Sequence, residues 1–236
     1  WLSRFSPNPN YVTISQNGGD LKVKVTGPWY QTIYWEMPLM AMISELYFEK
    51  TGQKPEPGWE QKAWEKGRLL KSEGCTFSYF GLRRRFSSTV HEGVIQALLP
   101  HKKLPGDDGG FTGTSNVYLA YKYGLAPVGT MAHELAMVFA VIYGFKSANR
   151  KVMDLWLEEF GDKLAVVLTD TFTTDVFLRD FTLEYAKQFS GVRQDSGNPE
   201  GYADKIIAHY HRLGIDPKTK FIVFSDGLTA QKAVEV

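Results

Sequence analysis

The sequence predicts an α/β protein: a small N-terminal α/β sheet domain over residues 1–73, then an incomplete parallel α/β barrel over residues 74–236. Three observations carry that expectation. Leu21-Lys22-Val23-Lys24-Val25-Thr26 alternates apolar and polar, the pattern of an antiparallel strand with one wet face. From Gly74 onward, short apolar runs lead into polar, glycine-containing turns and then helical stretches, as parallel strands joined by helices do. Six such strands follow one another with no closing pair, which predicts a barrel truncated at its C-terminal side.

In chain order, Pro7-Asn8-Pro9-Asn10 is a turn-rich entry, and Tyr11–Ser15 reads as a strand. Asn17-Gly18-Gly19-Asp20 then supplies a hairpin turn into the alternating strand. Gly27-Pro28 turns the chain, and Trp29–Trp35, rich in aromatics, reads as a third strand. Pro38 suits the first position of a helix whose Leu39, Ile43, Leu46 and Tyr47 share one face. A second amphipathic helix spans roughly residues 58–73. In the barrel region, residues 75–80, 111–112, 125–128, 164–168, 190–192 and 220–224 read as strands. Leu125-Ala126-Pro127-Val128 is too short for a helix and suits a buried strand, whereas residues 135–142 are long enough to be one. A further helix is expected from Ala148 to Phe160, and Asn198 caps another that starts at Pro199.

Composition narrows the function classes. The chain has 27 Lys and Arg against 26 Asp and Glu, so no global field draws it to nucleic acid or to an acidic membrane. No apolar run reaches membrane-spanning length, and Cys75, the single cysteine, excludes an internal disulfide. Starting at Trp1 rather than methionine, the sequence reads as a piece of a longer chain.

The polar turns carry the chemistry. They offer Arg83, Arg84, Arg85 and Arg193, the acids Asp170, Asp195 and Asp226, the hydroxyls of Thr114, Ser115, Thr130 and Thr169, and neighbouring glycines. Guanidinium forks match phosphate or carboxylate, glycines let backbone N–H groups approach anions, and carboxylates suit sugar hydroxyls, a developing cation or hydrated magnesium. A phosphorylated sugar is the ligand that this set favours. In Gly129-Thr130-Met131-Ala132-His133-Glu134, His133 falls in a first helical turn, where the positive dipole end favours a neutral ring able to attack or to carry phosphate. Each residue also has a plainer reading: His133 as a core histidine, Arg84-Arg85 as a solvated face, Asp195 and Ser196 as turn formers. His209 and His211, two apart on a helix, face different sides and do not read as a metal pair.

Five stretches in register resemble one family: Phe80-Gly81-Leu82-Arg83-Arg84-Arg85, Gly113-Thr114-Ser115-Asn116, the His133 segment, Leu168-Thr169-Asp170-Thr171 and Val192-Arg193-Gln194-Asp195-Ser196-Gly197. They look like nicotinate phosphoribosyltransferase, a type II phosphoribosyltransferase, with the fungal branch nearest. The resemblance implies an enzyme that joins nicotinate to phosphoribosyl pyrophosphate, giving nicotinate mononucleotide and pyrophosphate with ATP hydrolysis, the entry of salvaged nicotinate into NAD synthesis. It implies Mg2+ travelling with ATP and phosphoribosyl pyrophosphate, no tightly bound organic cofactor, and a homodimer with a shared active site in the cytoplasm, the nucleus being a second compartment. Carried over by residue, His133 is the histidine that ATP phosphorylates, and Asp195 is a catalytic carboxylate near the ribose. Phe80 lies beside the pyridine ring, Arg83 near ring and pyrophosphate, Ser115 where nicotinamide-using relatives place an aspartate, and Arg193 on an anion. Asp170, Asp226, Thr114 and Gly227 complete the substrate-binding set. Leu82 stands in place of a threonine and Leu135 in place of a tryptophan. The family's N-terminal aromatic loop and its phosphate-cradling glycine turns are expected outside residues 1–236, so this stretch alone is expected to be inactive. A nicotinamide-using enzyme and a non-catalytic binding form of the fold are the alternatives.

Overall fold

Residues 12–25 form the expected hairpin. Strand β1 (Val12–Asn17) pairs antiparallel with β2 (Asp20–Val25), the register closing at Asn17↔Asp20 around Gly18, whose φ of +58° a side chain would strain. The computed structural model describes residues 6–236, in two compact units, Trp1–Val128 and Gly129–Val236. The division at residue 74 marks where parallel strands begin, and the compact units part later, after Val128.

In the first unit the expected third strand is instead helical. Helix α1 (Trp29–Thr32) and a 3-10 turn (Ile33–Trp35) run straight into α2 (Glu36–Thr51). A seven-residue aromatic run fits either period, and Pro28 decides it, its carbonyl accepting from Gln31 N at 2.9 Å and Thr32 N at 3.0 Å. The face of α2 is also rotated from expectation. Leu46 and Tyr47 are exposed, while Ala41, Ser44, Glu45 and Phe48 turn inward. Phe48 stacks on Phe86 at 4.0 Å between ring centroids, and Ser44 donates to the Arg85 carbonyl at 3.1 Å.

Next come α3 (Trp59–Ser72), β3 (Thr76–Tyr79), α4 (Ser88–Leu98), β4 (Gly110–Thr114), α5 (Val117–Tyr123) and β5 (Ala126–Pro127). The strands form a parallel sheet in the order β3-β4-β5. Ile95, Leu98, Phe111, Leu119 and Leu125 make the core beside it. Gly113 is required at a close approach, because a Cβ there would lie 2.1 Å from the Ala126 carbonyl oxygen of β5. The strand at 125–128 was expected to be buried. Only Leu125 is, and Ala126 and Pro127 are exposed, since β5 is the edge strand and a proline suits an edge.

The second unit contains α6 (His133–Tyr143), α7 (Phe145–Phe160), β6 (Val166–Leu168), α8 (Thr174–Asp180), α9 (Leu183–Gln188), β7 (Gly191–Gln194), α10 (Pro199–Arg212), β8 (Phe221–Phe224) and α11 (Ala230–Glu235). Its sheet is also parallel, ordered β6-β7-β8. Met153, Val167, Phe181, Phe189, Val192 and Tyr210 are almost wholly buried around it. Each such side chain contributes about 1.5–3 kcal/mol as an upper figure. As expected, Asn198 caps α10, its side chain accepting from Glu200 N at 3.3 Å. His209 is buried with Nε2 2.8 Å from the Phe181 carbonyl, whereas His211 is exposed. Among the described residues no helix is long and apolar enough to cross a membrane.

Two local conflicts generate tests. Thr173 is the one non-glycine residue with positive φ among the described residues, at φ 74° and ψ 144°, a region that suits glycine. Its hydroxyl caps α8 by accepting from Val176 N at 3.4 Å. Relief of backbone strain outweighs the loss of this long cap and the added freedom of the unfolded chain, so Thr173→Gly is expected to stabilise the fold by about 1 kcal/mol in urea denaturation. His91 is 1% exposed, stacks near Tyr79, and has no hydrogen-bond partner for either ring nitrogen among the described residues. Burial, with the nearby Arg85 charge, lowers its pKa to about 4. The unfolded chain therefore takes up a proton below about 6.5 that the folded chain refuses. The resulting stability is complete above that pH and is lost as pH falls towards 4, by about 3 kcal/mol in all. His91→Phe keeps the packing and should flatten this slope between pH 7 and 4.5 in denaturation curves.

Candidate functional site

Parallel strands bring their C-terminal ends to one edge of a sheet, so residues distant in sequence become neighbours there. In the second unit Leu168 pairs with Arg193, and Gln194 with Phe224. The turns after β6, β7 and β8 consequently set Asp170, Asp195 and Ser225 side by side. His133 reaches the same place from the first residue of α6.

The cluster is closely tied. His133 Nε2 lies 3.1 Å from Asp195 Oδ2 and 3.8 Å from Asp170 Oδ1, and its Nδ1 lies 3.0 Å from Thr171 Oγ1. Arg193 Nη2 meets Asp195 Oδ1 at 2.5 Å, while Nε donates to Ser225 Oγ at 2.9 Å and Nη1 to the Met131 carbonyl at 2.8 Å. Ser225 in turn donates to Asp195 Oδ1 at 2.5 Å. Asp170 Oδ2 accepts from Asp195 N at 3.0 Å and from Ser196 Oγ at 2.7 Å. Asp170 Oδ1 is buried and has no hydrogen-bond partner among the described residues.

The electrostatics follow. Burial works against ionising Asp195, but hydrogen bonds from Ser225, Arg193 and His133 and the Arg193 charge prevail and hold its carboxyl below the usual range. An ionised carboxylate can only accept, so in a neutral His133 ring the proton sits on Nε2 and the lone pair on Nδ1. Arg193 spends three of its five N–H donors on the protein and keeps two for a ligand.

Asp226 and Gly227 occupy the exposed turn after β8, where Gly227 has φ +55°. No hydrogen bond or ion pair joins Asp226 to the cluster among the described residues. Ser225, the residue before it, does that work and was missed, as was Thr171. The turn motifs contain both, but a hydroxyl gains meaning only when its neighbours are known. Leu135 packs against the core of this unit.

In the first unit, Tyr79↔Thr114 pairing puts the ends of β3 and β4 next to each other. Phe80, 48% exposed, extends β3, and the following 3-10 turn (Leu82–Arg84) carries Arg83, whose Nη1 lies 2.7 Å from Glu36 Oε1. Arg84 is exposed, while Arg85 pairs with Glu45 at 2.9 Å. Thr114 is fully buried, its hydroxyl accepting from Asn116 N at 3.2 Å, so it holds the turn. Ser115 Oγ is buried with no hydrogen-bond partner among the described residues. It does not cap α5. Asn116 does, its side chain accepting from Leu119 N at 3.1 Å.

Residues 75–236 match the model of the nicotinate phosphoribosyltransferase (NAPRTase) family. The chain is 45% identical over its whole length to "Nicotinate phosphoribosyltransferase" of Desulforapulum autotrophicum, covering 60% of that protein. It is 44% identical over 92% of its length to "Probable nicotinate phosphoribosyltransferase" of Schizosaccharomyces pombe, covering 54% of it. The crystal structure of nicotinate phosphoribosyltransferase from Porphyromonas gingivalis superposes with a TM-score of 0.92 at 42% identity, over 99% of this chain and 59% of that one. The chain thus spans about 60% of the length of the curated relatives that it matches. With the family model, the relatives and the shared fold in agreement, this chain belongs to the nicotinate phosphoribosyltransferase family.

Proposed function

We propose that the protein joins nicotinate to phosphoribosyl pyrophosphate, giving nicotinate mononucleotide and pyrophosphate, and that ATP drives the synthesis by phosphorylating His133. The observation that carries this reading is the His133–Asp195–Asp170–Arg193 cluster at the start of α6. The helix N-cap is Ala132, whose side chain cannot accept a hydrogen bond, so no capping side chain offsets the positive dipole end that faces an incoming anion. The Nδ1 lone pair is the nucleophile. Its bond to the γ-phosphorus forms as the bond to the ADP oxygen breaks. The proton stays on Nε2, where Asp195 offsets the charge that the ring gains.

Glycosyl transfer has a different need. Loss of pyrophosphate leaves an oxocarbenium-like carbon, which carboxylates stabilise and an imidazole does not. Asp195, held ionised by Arg193 and Ser225, meets that need. Magnesium would arrive on the substrate phosphates and neutralise their charge, and the unpartnered Asp170 Oδ1 suits a water of its hydration shell.

The base is read by the first unit. The Ser115 hydroxyl, buried and unpartnered, can donate to a nicotinate carboxylate beside Phe80. The exposed Arg83–Glu36 pair, of a kind worth less than about 1 kcal/mol, can give up its guanidinium to the same anion. An aspartate at 115 would repel that carboxylate by about 4 kcal/mol at about 4 Å and an effective dielectric near 20, before screening reduces it.

Two measurements on the full-length protein test this reading. His133→Ala should abolish ATP hydrolysis and its coupling yet leave some ATP-independent transfer, and equal loss of both in a folded variant would contradict the division of labour. Ser115→Asp should lower nicotinate efficiency relative to nicotinamide by about tenfold to a hundredfold. An unchanged ratio would remove Ser115 from base selection.

A further inference from the structure

His133 is held on both sides of its ring. Asp195 Oδ2 stands 3.1 Å from Nε2, and Thr171 Oγ1 stands 3.0 Å from Nδ1. The two partners differ in kind. The carboxylate only accepts, whereas a hydroxyl can donate or accept, so Thr171 can follow the ring through a change of charge. With the proton on Nε2, Thr171 must be the donor to the Nδ1 lone pair.

Resting on the proposed phosphorylation of His133, we propose that Thr171 is a positioning residue for that step: its hydroxyl holds the Nδ1 lone pair in the resting site and releases it to the incoming phosphorus.

Three features support this role. Thr171 follows Asp170 directly, so one turn presents a carboxylate to one side of the ring and a hydroxyl to the other. That turn is closed by Thr173, whose N–H donates to the Asp170 carbonyl at 3.4 Å from a backbone at φ 74°. Thr171 also lines a small pocket with Ala132, Ala136 and Asn149, which gives the side chain room to turn away from the ring.

The step balances without a further reactant. A nucleoside triphosphate supplies the phosphoryl group, Nδ1 gains the N–P bond, and the nucleoside diphosphate leaves with the electrons of the broken P–O bond. The Thr171 proton is not transferred. It only leaves the nitrogen lone pair as the N–P bond forms.

The test uses the full-length protein with Thr171→Val, which keeps the shape and removes the hydroxyl, and Thr171→Ser, which keeps the hydroxyl. Nitrogen-15 NMR of the His133 ring, without nucleotide, reads the hydrogen bond directly. The wild type and the serine variant should show a protonated Nε2 and a hydrogen-bonded, unprotonated Nδ1, and the valine variant should lose the Nδ1 hydrogen-bond shift. In single-turnover reactions with labelled ATP, phosphohistidine formation should fall about tenfold in Thr171→Val and stay near wild type in Thr171→Ser. A valine variant that matches wild type in the NMR signature or in the phosphorylation rate would overturn the role of Thr171. If the wild type itself takes no label, the phosphorylation reading fails and this role for Thr171 falls with it, while the NMR signature still shows whether the hydrogen bond exists.

Discussion

The rim of the second unit depends on the half-buried charge of Asp195. Its two oxygens take the guanidinium of Arg193, the hydroxyl of Ser225 and the Nε2 side of His133, and its backbone N–H is tied to Asp170. Three strand ends and the start of α6 therefore converge on one carboxylate. A charge in that half-buried position is held by its pairing and hydrogen bonds, and removing either partner would leave the other without its countercharge. The same contacts that make the ionised form stable also aim it, so structural cost and chemical usefulness have one origin.

The surrounding scaffold supplies rigidity. Parallel strands buried among Val167, Val192, Phe181 and Tyr210 cannot slide without exposing apolar surface, so the turns that they carry are held in register. Gly191 shows how closely the strands are set, since a Cβ there would lie 2.5 Å from the Phe221 carbonyl oxygen. Gly113 plays the same part in the first unit. Glycine was read from the sequence as a means of approaching anions, and at these two positions it serves the approach of one strand to the next.

Polar groups left unsatisfied also separate into two kinds. His91 is buried in α4 against the ring of Tyr79, and its cost appears as pH-dependent stability. Ser115 Oγ and Asp170 Oδ1 lie at the C-terminal ends of β4 and β6, where a ligand would satisfy them. A buried hydroxyl or carboxylate without a partner is costly in an apoprotein, and only a hydrogen-bonding group that reaches it removes that cost.

Much of the fold was legible in the sequence because the signals were local. Alternation over residues 21–26, the Asn17–Asp20 turn, the Asn198-Pro199 helix start and the strand-turn-helix repeats each depend on neighbours a few residues away. Where local signals were degenerate, the reading failed. The aromatic run 29–35 suits strand and helix alike, and Pro28 with the helix after it settled the matter. In α2 periodicity announced a helix but not which side would meet Arg85 and Phe86. At 125–128 apolar composition could not tell an edge strand from a central one. The candidate site divides in the same way. The motifs named His133, Asp170, Arg193 and Asp195, but the partnership of Asp195 with Ser225, and of His133 with Thr171, spans 30 and 38 residues of chain. Residue type and spacing determined which chemical groups this protein carries. Only tertiary structure decided which of them touch, because parallel pairing joins strand ends through contacts that no local pattern records.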